Sequence, residues 1–308
     1  ALLLLSQTSK QSAPVRAQLA HPNSLRALVH AVRHALAAQP VALDVLDPAL
    51  RCVGNACVAE DEAADAAPPA PPARHELAAL GLDWARGAVD VVGTATLAVR
   101  VLYNVCVASE AARAACRRAR VHHAVLRWGV THDGGDGNDE AAAVAREAAA
   151  ALLFWMCGER EEEEDVDDLG DAETAALLAL PARWGARVDA EALAMVVETV
   201  LAYARDARFQ ERVVRERRVD EVAGVLEAVE AAIAAPASCD DDDDGERARL
   251  LVPLATGLVW CLSDVAATSG FARAYGGDAA WVAGQAGRIA DAAAPGRVVG
   301  AACQMLGN

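Results

Sequence analysis

Asn55 and Asn104 carry the side chains with the most evident binding chemistry in this sequence. Each stands inside an apolar run: Leu50-Arg51-Cys52-Val53-Gly54-Asn55-Ala56-Cys57 and Val101-Leu102-Tyr103-Asn104-Val105-Cys106. Asn is a poor helix former, and its amide both donates and accepts hydrogen bonds. At mid-helix such a residue is either a groove contact to a partner's backbone, or an amide satisfied by a neighbouring turn or by solvent. Catalytic chemistry is thinner. His30 and His34 have the spacing of a two-His metal half-site on a helix, but they lack the intervening Glu of HExxH and a third ligand, so no metal is expected. His122 and His123 point in different directions on a helix and suggest nothing. GxSxG, P-loop and dinucleotide fingerprints are missing, and no Ser or Cys stands beside a base in a recognisable pattern. The chain therefore reads as a binding protein, not an enzyme, with no catalytic nucleophile, metal or cofactor.

The same central slot recurs down the chain. It is Trp155 in Leu153-Phe154-Trp155-Met156-Cys157, Tyr203 in Val200-Leu201-Ala202-Tyr203-Ala204, Trp260 in Leu258-Val259-Trp260-Cys261-Leu262, and Asn308 at the end. From Asn55 onward the separations are 49, 51, 48, 57 and 48 residues. A near-constant period of this size in an apolar, helix-forming chain predicts a solenoid of stacked helical units. Trp155, Tyr203 and Trp260 would either line a shared groove, as flat amphipathic contacts of the hot-spot type, or pack in the core.

The composition points to the same class. Of 308 residues, 54% are apolar, mostly Ala, Leu and Val, and 4% are aromatic. Ala and Leu favour helix, and period-two alternation is nearly missing. An all-α fold of about five to six repeats is expected, with residues 1–308 forming one array. Neither end carries a polar capping repeat, as expected for a fragment of a longer array. The net charge is −16, with Lys10 the only Lys among 28 basic residues. That balance disfavours nucleic acid and anionic membrane faces. It suits a basic partner, or simply solubility. Cys52, Cys57, Cys106, Cys157, Cys261 and Cys303 lie within apolar runs, where a free thiol acts as a small hydrophobe. No CxxC pair exists, so a reducing, cytoplasmic setting is expected. Leu2–Leu5 is too short for a membrane span or a signal core, and no direct membrane insertion is expected.

Along the chain, residues 2–5 and 15–20 read as helical scraps around polar Ser6–Lys10. Asn23-Ser24 is expected to cap a helix over 25–38, with Leu25, Leu28, Val29, Val32 and Leu36 on its apolar face. Asp47-Pro48 should open the helix that carries Asn55. Further helices are expected over 75–87, 94–120, 140–157, 191–207 and from 297. Flexible insertions are expected near 60–73, 131–139, 159–170 and 238–246, from their Pro, Gly and acidic content.

The two Asn-centred cores resemble those of the Rap-type GTPase–GDP dissociation stimulators (the SmgGDS family), particularly fungal members. The match is sharp over about 50–62 and 97–113. Elsewhere a general armadillo pattern persists, including His30–Ala38 and Arg205–Val214. Arg113 and Arg212 each follow their central residue by nine positions. The resemblance implies an armadillo/HEAT-like right-handed superhelix. It also implies binding of small Rho- and Ras-type GTPases with polybasic tails, prenylated or not, and a role as guanine-nucleotide exchange factor and chaperone. Trp155, Tyr203 and Trp260 depart from the Asn usual in such slots. Glu60, Asp61 and Glu62 would attract a basic tail, or form a solvated linker. The runs 161–165 and 240–244 would reinforce that field, or be disordered. An armadillo peptide-binding adaptor without exchange activity is the alternative.

Overall fold

A computed structural model of the chain describes residues 1–63, 73–132, 140–158, 169–235, 243–291 and 293–307, with backbone alone at 59–63 and 243–244. Its regular elements among the described residues are all helical. They form two compact units, Ala1–Met156 and Cys157–Asn308.

The first unit holds α1 (Leu2–Gln11), α2 (Ala13–Leu19), α3 (Pro22–Ala37), α4 (Leu43–Ala63), α5 (Ala73–Leu80), α6 (Asp83–Asp90), α7 (Ala95–Cys106), α8 (Glu110–Arg118), α9 (Val121–Thr131) and α10 (Glu140–Leu153). A π-helical turn, Phe154–Gly158, follows α10. Like helices pack on like: α5 on α8, α3 on α6 and α6 on α9, α1 on α4, α4 on α7 and α7 on α10. Expected helices over 75–87 and 94–120 are each split. Gly81, at φ 82°, ends α5 in a left-handed conformation open to glycine. Between α7 and α8, Ala108 takes φ 54°, and the Ser109 hydroxyl accepts from the Ala112 amide at 3.3 Å to cap α8. Helix α9 was not anticipated, because its run of buried side chains has no polar stripe to mark a period.

Other boundaries move for local reasons. Ser6–Lys10 is helical as part of α1, and the Ser6 and Ser9 hydroxyls are satisfied within it, donating to the Leu3 and Ser6 carbonyls. His21, not Asn23 or Ser24, caps α3, its Nδ1 accepting from the Asn23 amide at 3.3 Å with Pro22 in the first turn. On α3 the buried residues are Leu25, Leu28, Val29, Val32 and Ala35. Pro48 lies beyond the first turn of α4, which continues to Ala63, so 60–63 is helix and not linker.

The second unit holds α11 (Asp171–Trp184), α12 (Ala190–Ala204), α13 (Ala207–Arg215), α14 (Val219–Ala234), α15 (Asp243–Ala266), α16 (Phe271–Tyr275), α17 (Ala279–Ala290) and α18 (Gly296–Gly307). Here α11 packs on α14, α13 on α16, α12 on α15 and α15 on α18. Ion pairs bind its last helices to α14: Arg288 reaches Asp220 at 2.9 Å and Glu227 at 2.8 Å, and Arg297 reaches Glu230 at 2.6 Å. Phe271, Tyr275 and Trp281 form an aromatic cluster, with Arg217 over the Tyr275 ring and paired to Asp278. Residues 243–246, expected in an insertion, begin α15. The expected insertions at 64–72, 133–139, 159–168 and 236–242 lie outside the described residues, as does Asn308.

Two stretches, Glu140–Gly158 and Gly245–Ala266, are long and apolar enough to cross a membrane, and 56% and 33% of those windows are buried. Helix α10 is accordingly a core helix, packed on α7 and α9.

Candidate functional site

The five slot residues that fall in the described structure lie on or directly after helices that pack on one another within each unit: Asn55 on α4, Asn104 on α7 and Trp155 after α10 in the first, Tyr203 on α12 and Trp260 on α15 in the second. What each slot presents is not equivalent.

In the first unit Gly54 lets α7 approach α4. A Cβ at Gly54 would stand 3.2 Å from Val101 Cγ2 and 3.8 Å from Asn104 Nδ2. The bare backbone of Gly54 therefore sets Asn104 beside the Asn55 turn. The Asn55 amide is already committed. Its Nδ2 donates to Ser9 Oγ at 2.8 Å and to the Ser6 carbonyl at 3.4 Å, tying α4 to α1. Asn104 differs. Its main-chain carbonyl accepts from Arg74 Nε at 2.8 Å, a cation meeting the C-terminal end of α7. Its half-exposed side-chain amide makes no hydrogen bond among the described residues. The bound-amide alternative thus holds for Asn55, and Asn104 is the open one.

Next to Asn104, Tyr103 stacks on Trp155 with ring centres 5.4 Å apart and planes 30° from parallel. The Arg113 guanidinium stands 4.5 Å over the Trp155 ring, a cation–π contact, while its Nε donates to the Cys106 carbonyl at 3.1 Å. Arg117 donates to the Trp155 carbonyl at 3.2 Å. Helices α7 and α8 together hold Trp155, whose π-helical turn swings it out of the ordinary helical register. Asn104, Tyr103 and Trp155 are therefore brought together on one half-buried surface.

The second unit gives its slots opposite fates. Tyr203 is 2% exposed with its ring 5.9 Å from Phe209, so it belongs to the core and not to a groove. Trp260 is 64% exposed. One residue is turned against α13 and the other outward, which period alone does not reveal. Arg212 donates to the Leu169 carbonyl, a structural contact within this unit.

The acidic candidates are only partly placed. Glu60, Asp61 and Glu62 lie on the last turn of α4, and their side chains are outside the described residues. So are 161–165 and 240–242; 243–244 open α15. Arg51 and Arg100 went unnoticed in the sequence. Each stands four residues before its slot Asn, an Arg-x-x-x-Asn spacing repeated 49 residues on that was there to be read.

His30 and His34 are exposed with rings stacked 6.5 Å apart, and among the described residues no three metal-ligating side chains converge. His122 and His123 are buried, edge to face at 4.5 Å. Burial pushes the Cys52 thiol up to about 11 and the Cys261 thiol up to about 12, the nearby Asp264 adding to the latter. Cys116 is raised by its contact with Cys106, sulfur to sulfur 3.5 Å, and by burial. Protonated, buried thiols of this kind are poor nucleophiles.

No family model, no curated protein and no solved structure matches the chain. The class that the described residues define is an all-helical protein of two compact units.

Proposed function

We propose that the chain is a protein-interaction scaffold built of armadillo-type three-helix repeats, whose third helices present the binding face. The carrying observation is the open Asn104 amide beside the Tyr103–Trp155 stack. An amide free to donate and accept can clamp one peptide unit of an extended partner, and a half-exposed aromatic pair supplies contact area at small entropic cost. The like-on-like packing of α4, α7 and α10, and of α12, α15 and α18, supports the repeat assignment. A cytoplasmic protein of this kind keeps its core thiols reduced. The test is a photo-crosslinking residue at position 104 against one at exposed Arg86 on α6. A partner captured from 104 and not from 86 upholds the reading; equal capture ends it.

A second reading, exchange factor and chaperone for small GTPases, draws on the Leu50–Cys57 and Val101–Cys106 resemblance and on the net charge of −16. It requires tighter binding to the nucleotide-free GTPase than to the GDP-bound one. Release of fluorescent GDP from Rho- and Ras-type GTPases tests it, and unchanged release at any salt concentration rejects it.

A further inference from the structure

We propose that the α7 face of the first unit takes an extended peptide bearing carboxylates, with Arg100 as the anion partner and Asn104 as the backbone clamp. This rests on the scaffold reading above and adds the chemistry of the partner. It follows from comparing two equivalent positions.

Arg51 and Arg100 each precede a slot Asn by one helical turn and so share its face. On α4, Arg51 is neutralised within its own helix: Nε reaches one Asp47 oxygen at 2.7 Å and a terminal nitrogen reaches the other at 3.1 Å. One turn before Arg100 the residue is Thr96, which has no charge to offer. Arg100 is exposed, and among the described residues it makes no ion pair or hydrogen bond. The neighbouring amides repeat the contrast, Asn55 committed to Ser9 and Asn104 open. On α4 both groups are satisfied, whereas on α7 Arg100 is exposed and the part-buried Asn104 amide makes no hydrogen bond among the described residues.

The surroundings select the sign of the ligand. Arg100 stands three residues before Tyr103 on α7, and the Tyr103–Trp155 stack carries Arg113 over its indole. Arg113 is met by Glu110 at 4.0 Å, so among the described residues the charge this face leaves unpaired is that of Arg100, which favours an anionic group over a basic one. Geometry selects an extended chain. Arg100 and Asn104 are about 6 Å apart along the helix surface, and an extended strand advances about 6.6 Å over two residues. A peptide unit held by Asn104 thus places a side chain two residues away at Arg100, while the side chain between them points off the face.

The test uses the whole chain and three capped, fluorescently labelled peptides that alternate Ser with Glu, Lys or Ala, read by anisotropy. The Glu peptide should bind most tightly, and less so as salt rises. Arg100→Gln should weaken it about fivefold and leave the Ala peptide unchanged, the size expected of one exposed charge pair. Asp47→Asn, which releases Arg51, should tighten the Glu peptide. Equal or tighter binding of the Lys peptide, or an Arg100→Gln variant with the Glu preference intact, overturns the proposal. If Asn104→Ala then weakens all bound peptides alike, the scaffold reading stands without the acidic preference. If no peptide binds, the proposal falls, and capture from position 104 decides the scaffold reading separately.

Discussion

Asn55 and Ser9, 46 residues apart, are joined by a 2.8 Å hydrogen bond from amide to hydroxyl. The Ser9 hydroxyl in turn donates to the Ser6 carbonyl, so one short chain of bonds fixes α1 against α4. Removing either side chain breaks it. Asn55→Ala and Ser9→Ala should each lower stability by about 1 kcal/mol in urea unfolding. The double variant should cost less than the two together, because both report one bond. Full additivity would show that the pair is not coupled.

Gly54 governs the distance between α4 and α7. Gly54→Leu should destabilise by about 1–3 kcal/mol through overpacking against Val101. Val101→Ala in the same chain should recover part of that loss by making room. A Gly54→Leu variant as stable as the parent would contradict the 3.2 Å approach.

Tyr203 and Trp260 occupy equivalent slots with opposite burial, and their substitutions should separate accordingly. Tyr203→Ala should cost about 3–5 kcal/mol, the loss of a buried aromatic. Trp260→Ala should stay within about 0.5 kcal/mol of the parent. Chemical denaturation of the two variants measures both, and similar costs would mean that the slots are not distinguished by burial.

The buried thiols set an alkaline limit on stability. Their folded pKa values lie above the ordinary 9.0, at about 11 for Cys52 and about 12 for Cys261. Below pH 9.0 both folded and unfolded forms hold the proton, and the contribution is intact. Above it the unfolded chain releases protons that the folded chain retains, so stability falls toward pH 12. Denaturation midpoints should therefore drop from about pH 9 upward. The drop should be shallower in a Cys52→Ala, Cys261→Ala double variant. A maleimide at neutral pH should modify exposed Cys303 well before Cys52, Cys106, Cys116 or Cys261.

Much of the architecture was legible in advance. Ala- and Leu-rich runs gave helices, and the slots from Asn55 to Trp260 fall on or directly after helices. The splitting of 75–87 and of 94–120 into two helices each was not legible. The breaks at Gly81 and at Ala108–Ser109 depend on one left-handed residue and one cap, which barely disturb the apolar pattern. The site was half legible: Asn104 and Trp155 were picked out, while Arg51 and Arg100 were passed over because charged residues on helices are usually solvated.

The sequence by itself determined the helical class, because side-chain periodicity and helix propensity act over a few turns. Only the tertiary structure decided which slots are open. Ser9 of α1 takes the Asn55 amide, Phe209 of α13 covers Tyr203, and Trp260 meets no such neighbour. Exposure is set by the helix that packs alongside, and that helix lies too far away in the chain for any local pattern to announce it.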